Sequence, residues 1–301
     1  MASDAHAAPG VPSVCYADQA RIERMRIVAR RAVGTHTHRI RVEWPTLAGR
    51  WRPGQFAMVR IADRIDPLLA RPLAIYETYA SAGAHDPDGD VADRRFADFL
   101  YLAHGKFTRA LSVLEPGAEL ELWGPLGNGF RLPDAIDHLA LVAGGIGQTA
   151  LLALGRAALA AGTSRVTLCW GAREAGALAD HDDFRRSGIE THLATLDGSS
   201  GLRGTVVDLL DRLFADGGTR SGDVPGHVAC CGPEPMMAAV GRWCGARGIG
   251  CSVSLETPMA CGIGICFSCV APIRDATGGW DYRRTCVEGP VFDARDVVWP
   301  D

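Results

Sequence analysis

Four cysteines near the C-terminus carry the most specific chemical signal in the chain. Cys261, Cys266 and Cys269 form C-x4-C-x2-C, and Cys286 follows after sixteen intervening residues. That is the local spacing at which four thiolates hold a plant-type 2Fe–2S cluster. The cluster needs soft sulfur ligands and a tightly curved loop. Gly262 and Gly264 permit the curvature and leave backbone N–H groups facing the sulfides. A four-cysteine zinc site is the competing chemistry. Zinc sites draw on paired, close-spaced knuckles, whereas Cys286 stands alone in "RRTCVEGPVF". Disulfides fit a reducing compartment less well. Of the ten cysteines, Cys15, Cys169, Cys244 and Cys251 are scattered and read as small buried or incidental residues.

Two glycine-bearing segments come next. In "LVAGGIGQTALL" an apolar strand runs into Gly144, Gly145, Ile146 and Gly147, which are expected to open a helix. Backbone amides there can approach a phosphate, and a helix N-terminus favours its charge. The spacing is not G-x-G-x-x-G, and a tight turn without ligand accounts for it nearly as well. "CCGPEPMM" gives a second strand-end loop, Cys231-Gly232-Pro233, where ligands of open α/β sheets bind. The plainer roles are a small core residue for Cys231 and a helix-start proline for Pro235. Upstream, Arg71 and Pro72 precede a strand, and an arginine fork there can grip a phosphate or end in solvent. Gly105 and Thr108 open a short helix, where Thr108 caps the helix or meets an anion.

The elements that must position these residues fall into three groups. Residues 21–134 read as six or so strands with one short helix, a small antiparallel barrel. In "RIERMRIVARRAV" and "THRIRVEWP" apolar residues alternate with arginines, the pattern of half-exposed strands. Residues 135–250 alternate strands with helices, the pattern of a parallel, doubly wound sheet. From Cys251 to the end the periodicity is lost and a cysteine-rich cluster domain, 251–301, is expected. Residues 1–20 read as a flexible leader and the acidic, glycine-rich 80–93 as an exposed loop.

Composition narrows the function classes. The chain has 301 residues, 47% apolar and 22% charged, room for two or three compact domains. A net charge of −4 gives no basic footprint for nucleic acid. No uninterrupted apolar run is long enough to span a membrane, and "MASDAHAAPGVPS" lacks signal-peptide features. A cytoplasmic location is expected.

Arg71-Pro72-Leu73-Ala74, the helix start at Thr108, Gly144–Gly147 and Cys231-Gly232-Pro233 occur in the order seen in the ferredoxin-reductase superfamily, which this chain resembles. The resemblance implies a barrel that binds FAD and an α/β domain that binds NAD(P). It implies that Arg71, Pro72, Leu73, Ala74, Leu100, Tyr101, Leu102, Gly105, Phe107 and Thr108 contact FAD. It assigns Gly144, Gly145, Ile146, Gly147, Cys231, Gly232 and Pro233 to the nucleotide side. Three positions depart from the pattern: Ala74 stands for a serine, Phe107 for a glycine and Ala150 for a proline.

"GPLGNGF", "LDGSSGLRGTVVDLL", "ACCGPEPMM", "SLETPMACGIGICFSCV" and "CVEGPVFDA" are similar to segments of the electron-transfer subunits of NAD-linked dihydroorotate dehydrogenases. This resemblance covers about residues 21 to 294. It implies a relay between NAD, FAD and a 2Fe–2S centre in pyrimidine synthesis. It further implies a hetero-oligomer with an FMN-containing dihydroorotate dehydrogenase subunit. The chain leaves no room for that subunit's own catalytic barrel of ~250 residues. Two alternatives remain. One is a related flavin/iron–sulfur reductase subunit serving a hydrogenase, sulfide dehydrogenase or ferredoxin. The other is a non-catalytic zinc- or cluster-bearing interaction protein. Ile263, Ile265 and Phe267, set between the cysteines, either pack the loop or form a docking patch. Arg173 leaves the choice between NAD and NADP open.

Overall fold

A computed structural model describes residues 20–47, 49–84, 90–214 and 224–300. The expected leader up to residue 19, Cys15 within it, and the centre of the 80–93 loop lie outside the described residues.

The first half forms β1 (Arg21–Gly34), β2 (Thr37–Glu43), β3 (Phe56–Ile61), β4 (Arg71–Ala74), β5 (Glu77–Tyr79), β6 (Phe96–Leu102) and β7 (Glu119–Leu126). These strands pair antiparallel in the order β4-β3-β7-β1-β2-β6-β5. Side-chain alternation sends Ile27, Ile40, Val42, Val59, Phe99 and Leu122 to one interior, as the period of a strand requires. Helix α1 (Lys106–Leu111) adds Phe107 and Leu111 to that interior.

One expectation fails on β2. Its arginines do not face water. Arg39 and Arg41 are buried: Asp180 and Asp183 of the α/β layer close over Arg39, and Tyr79 with the carbonyls of Ala82 and Ala84 closes over Arg41. Asp98 accepts from Arg39 Nε and Arg41 Nε, each at 2.6 Å. Arg39 also reaches Asp183 at 2.7 Å and Asp180 at 2.9 Å, tying the barrel to the second layer.

That layer contains β8 (His138–Gly144), α2 (Leu152–Ala160), β9 (Arg165–Ala172), α3 (His181–Arg186), β10 (Glu190–Thr195), β11 (Leu202–Arg203), α4 (Val206–Phe214), β12 (His227–Cys231), α5 (Glu234–Gly245) and β13 (Gly250–Ser254). The strands pair parallel in the order β11-β10-β9-β8-β12-β13. The helix expected directly at the Gly144 turn starts later. Residues Gly145–Ala150 form a 3₁₀ turn, and α2 begins at Leu152. Gly145 takes φ +53°, and its carbonyl accepts from Trp170 Nε1 at 2.9 Å, which takes it out of a helical ladder.

The sheet does not stop at residue 250. After β13 the chain makes a hairpin, β14 (Val270–Arg274) and β15 (Trp280–Arg284), then returns as β16 (Val291–Asp293). β16 pairs antiparallel with β13, extending the same sheet. The cysteine-bearing segment is therefore an insertion between two strands of the α/β layer.

Candidate functional site

The hairpin explains the spacing of the cysteines. Cys269 directly precedes β14 and Cys286 lies two residues beyond β15, with Val270 opposite Arg284 in the ladder. The sixteen residues between them are thus the hairpin and its ends. Thr285 fixes the junction: its N–H and hydroxyl both donate to Cys269 O, at 2.8 and 3.0 Å. Cys269 and Cys286 are buried, Cys261 half-buried and Cys266 exposed. Desolvation first, then neighbouring Cys269, pushes the Cys286 thiol up to about 12. Hydrogen bonds from Ser268 bring Cys266 down to about 6.

The loop between the cysteines lies on the barrel. Phe56, Met58 and Leu126 pack against Cys269 and Cys286, and Trp123 Nε1 donates to Cys261 O at 2.9 Å. Gly262 and Gly264 take φ +72° and +84°, and a side chain on either would strike Met58 or Val287. Asn128 closes the base: its side chain donates to Glu288 O and Val291 O and accepts from Val291 N–H. "GPLGNGF" and "CVEGPVF" are thereby one interlocked unit. Among the described residues no three His, Cys, Asp or Glu side chains gather around a point fit for a single ion. Cys286 lies near enough to Cys269 and Cys261, and Cys266 to Cys261, for each to act on the other's thiol, so the four sulfurs form one donor set of the kind that holds 2Fe–2S. All nine described cysteines are free thiols.

Next to this loop lie two cavities of about 420 and 580 Å³ that share Pro72, Leu73, Leu102, Thr108 and Thr257–Met259. The first is walled mainly by apolar groups, among them Leu73, Ala74, Leu100, Ile146 and Ala150, a slot suited to a flat ring. The second adds Arg71, His104, Gly105 and Ser268 to its apolar lining. No carboxylate pairs with Arg71 among the described residues; it donates only to the carbonyls of Leu69 and Ala70. A free guanidinium beside a helix start fits a pyrophosphate. Thr108 caps α1, as expected: its hydroxyl accepts from His104 N–H and Gly105 N–H, both at 3.0 Å. Phe107 reaches neither cavity, being turned into the barrel core. The ring of Tyr101 also lies in the barrel core, stacked on His38.

A third cavity, about 870 Å³, opens at the carboxyl ends of β8, β9 and β12. Gly144, Gly145, Ile146 and Pro233 line it with Arg173, Glu174 and Thr205. Gly147 and Gly232 serve close packing instead: a side chain on Gly147 would collide with the backbone of Cys231, and one on Gly232 with Gly144. Cys231 lines the apolar slot, as does Ile146, which faces both cavities.

The residues missed from sequence are Glu256–Met259, which follow β13. The rule that ligands sit outside the carboxyl ends of strands applies to β13 and would have found them. Glu256 lines the apolar slot while keeping part of its side chain in solvent, and desolvation on the slot side raises its carboxyl above the usual range. Such a group binds a proton more tightly in the folded chain, so its contribution to stability falls as pH rises from the ordinary carboxylate range through the raised value. A Glu256→Gln variant should lose that component. Relative to wild type, its urea midpoint should improve between pH 5 and pH 8; an unchanged difference across this range counts against the raised carboxyl.

Residues 256–298 match the family profile of the iron–sulfur cluster binding domain of dihydroorotate dehydrogenase B. The chain is 35% identical over 274 residues to the dihydroorotate dehydrogenase B (NAD(+)) electron transfer subunit of Desulforamulus reducens, covering 91% of this chain and 97% of that one. The subunit of the same name from Geobacillus thermodenitrificans is 33% identical, over 92% and 98% of the two chains. Among solved structures, an NADH-dependent reduced ferredoxin-NADP oxidoreductase superposes with TM-score 0.76 at 25% identity, over 91% of this chain and 90% of that one. A ferredoxin reductase of carbazole 1,9a-dioxygenase gives 0.61 at 21%, over 79% and 68%, a likeness of fold. With such relatives matched over nearly their full lengths, this chain belongs to the family of dihydroorotate dehydrogenase B electron transfer subunits.

Proposed function

We propose that this chain carries electrons between NAD and the FMN-containing catalytic subunit of a dihydroorotate dehydrogenase, in pyrimidine biosynthesis. The net reaction is dihydroorotate plus NAD⁺ to orotate, NADH and a proton. The observation that carries the reading is contiguity. Ile146 faces both the 870 Å³ cavity and the apolar slot, and the slot's neighbour is walled by Ala260 and Ser268 of the cysteine loop.

In this reading Leu73, Ala74 and Leu100 with the Leu100–Leu102 backbone flank the flavin ring, while Arg71, Gly105 and Thr108 hold its pyrophosphate. Gly144, Gly145, Ile146 and Pro233 form the NAD side, with Gly147, Cys231 and Gly232 keeping the two strand-end turns in contact. Cys261, Cys266, Cys269 and Cys286 hold the 2Fe–2S cluster. When bound, FAD supplies the exchange between hydride and single-electron chemistry. The chain's part is to orient the two dinucleotides, exclude water from the slot and present the cysteine loop to a partner. Ile265 and Phe267 support the docking role over internal packing, since they are 75% and 62% exposed. The assembly is a hetero-oligomer. We place it in the cytoplasm, whose reducing poise suits a chain with its described cysteines free. Among the described residues no helix is long and apolar enough to cross a membrane.

Anaerobic co-expression with a dihydroorotate dehydrogenase catalytic subunit tests this reading. The complex should co-purify, contain FMN, FAD and iron, and reduce NAD⁺ with dihydroorotate. A colourless, zinc-containing chain, or one that binds no such subunit, contradicts it. The likeness to the ferredoxin-NADP oxidoreductase makes ferredoxin the alternative partner to include in the same assay.

A further inference from the structure

We infer that the outer face of the β14–β15 hairpin is the main anchor for the catalytic subunit, an inference that rests on the partner proposed above. Strand alternation splits the hairpin into two faces. Ala271 and Ile273 point inward and belong to the core of the α/β layer. The opposite face carries Pro272 opposite Tyr282 and Arg274 opposite Trp280. Trp280 and Tyr282 are 52% and 58% exposed and meet edge to face at 5.4 Å.

The stripe is continuous with the cysteine loop. Two residues on from Tyr282, Arg284 lies over the ring of Phe267 at 5.2 Å. Arg284 is held there by Glu288 and by Gly264 O. An aromatic, guanidinium and aromatic sequence thus runs outward from exposed Cys266 along β15. Trp, Tyr and Arg are the residues that dominate the centres of protein interfaces. One edge of the hairpin is occupied, since Ile273 of β14 bridges to Val297. The outer edge of β15 has no strand partner among the described residues.

Continuity with Cys266 decides the occupant. A partner that exchanges electrons with a cluster held by these cysteines must come close to it, and exposed Cys266 marks the side open to approach. The face next to that ligand is Phe267 and Arg284, and the stripe prolongs it. A second copy of this chain would have no such requirement.

The test uses the cofactor-loaded chain and the FMN-containing catalytic subunit. Trp280→Ala/Tyr282→Ala should keep its flavin and iron–sulfur absorption and wild-type NADH-driven reduction of a soluble dye. Its Kd for the catalytic subunit should rise about a hundredfold or more. Dihydroorotate-dependent NAD⁺ reduction should be lost at low subunit concentration and recovered at high concentration. Val113→Ala, at an exposed site on the barrel, is the control and should bind as wild type. An unchanged Kd for the double variant, beside a normally binding wild type, overturns the inference and leaves the proposed function standing. Failure of wild type itself to bind overturns the proposed function. If the variant instead abolishes self-association of this chain and leaves the Kd unchanged, the stripe is an interface between copies and the inference fails.

Discussion

A Cys286→Ser variant is expected to lose the iron–sulfur absorption while keeping its flavin and its NADH-dependent flavin reduction. Cys286 is fully buried beside Cys269, and the ladder of the hairpin holds both in place. A serine fits the space, so the fold should survive; what it removes is a soft thiolate that an oxygen ligand replaces poorly. The proposed FAD contacts lie on other elements, around Arg71 and Thr108, which the substitution leaves in place. Turnover of dihydroorotate with NAD⁺ by the assembled complex should fall about a hundredfold or more, while reduction of a dye that accepts from flavin stays at wild-type rate. Cys266→Ser, at an exposed position, should behave alike and guards against a folding defect in the first variant. Iron content, visible spectrum and the two rates measure this. A normal cluster in either variant refutes the ligand assignment.

The second large effect is on stability. Asp98 is completely buried and accepts from both Arg39 and Arg41, the latter through Nε at 2.6 Å and Nη2 at 2.9 Å. Burial opposes the charge on Arg39, yet Asp98 first among its neighbours, with Asp183, holds its pKa above the ordinary value. Removing the shared carboxylate leaves two guanidinium groups desolvated with fewer partners. Breaking a buried pair in this way costs about 3–5 kcal/mol, far more than losing an exposed pair such as Arg24–Asp63. Asp98→Ala should therefore shift the urea midpoint strongly, and added salt should change the loss little. Because Arg39 also binds Asp180 and Asp183, the contact between barrel and α/β layer should loosen, and NADH-to-flavin reduction should slow. A loss comparable to that of Asp63→Ala would show that the network carries no special weight.

The parts of this molecule that were legible in the sequence are those set by local pattern. Cysteine spacing, the strand periods of the barrel and the alternation of strands and helices depend on residues near one another in the chain. What escaped was set at long range. The arginines of β2 look solvated because Asp98 and Asp183 stand 59 and 144 positions away. The sheet runs on past residue 250 because β13 finds β16 only after the whole cysteine segment has intervened. The hairpin itself had a local signal, "DATGG" ahead of "WDYRR", that the lost helical period obscured. Phe107 is a further case: its place in the motif suggests a flavin contact, while its size and the turn of α1 send it to the core. Gly147 and Gly232 carry the right residue type for a second reason, since they let the two strand-end turns touch.

This one chain is expected to take electrons from NADH and hold them on two centres. An anaerobic NADH titration of the purified chain, followed by visible absorption and electron paramagnetic resonance, tests it most directly. The chain should take up about three reducing equivalents, two bleaching flavin and one producing the signal of a reduced 2Fe–2S cluster. Uptake of about two with no paramagnetic cluster, or of none, would contradict it.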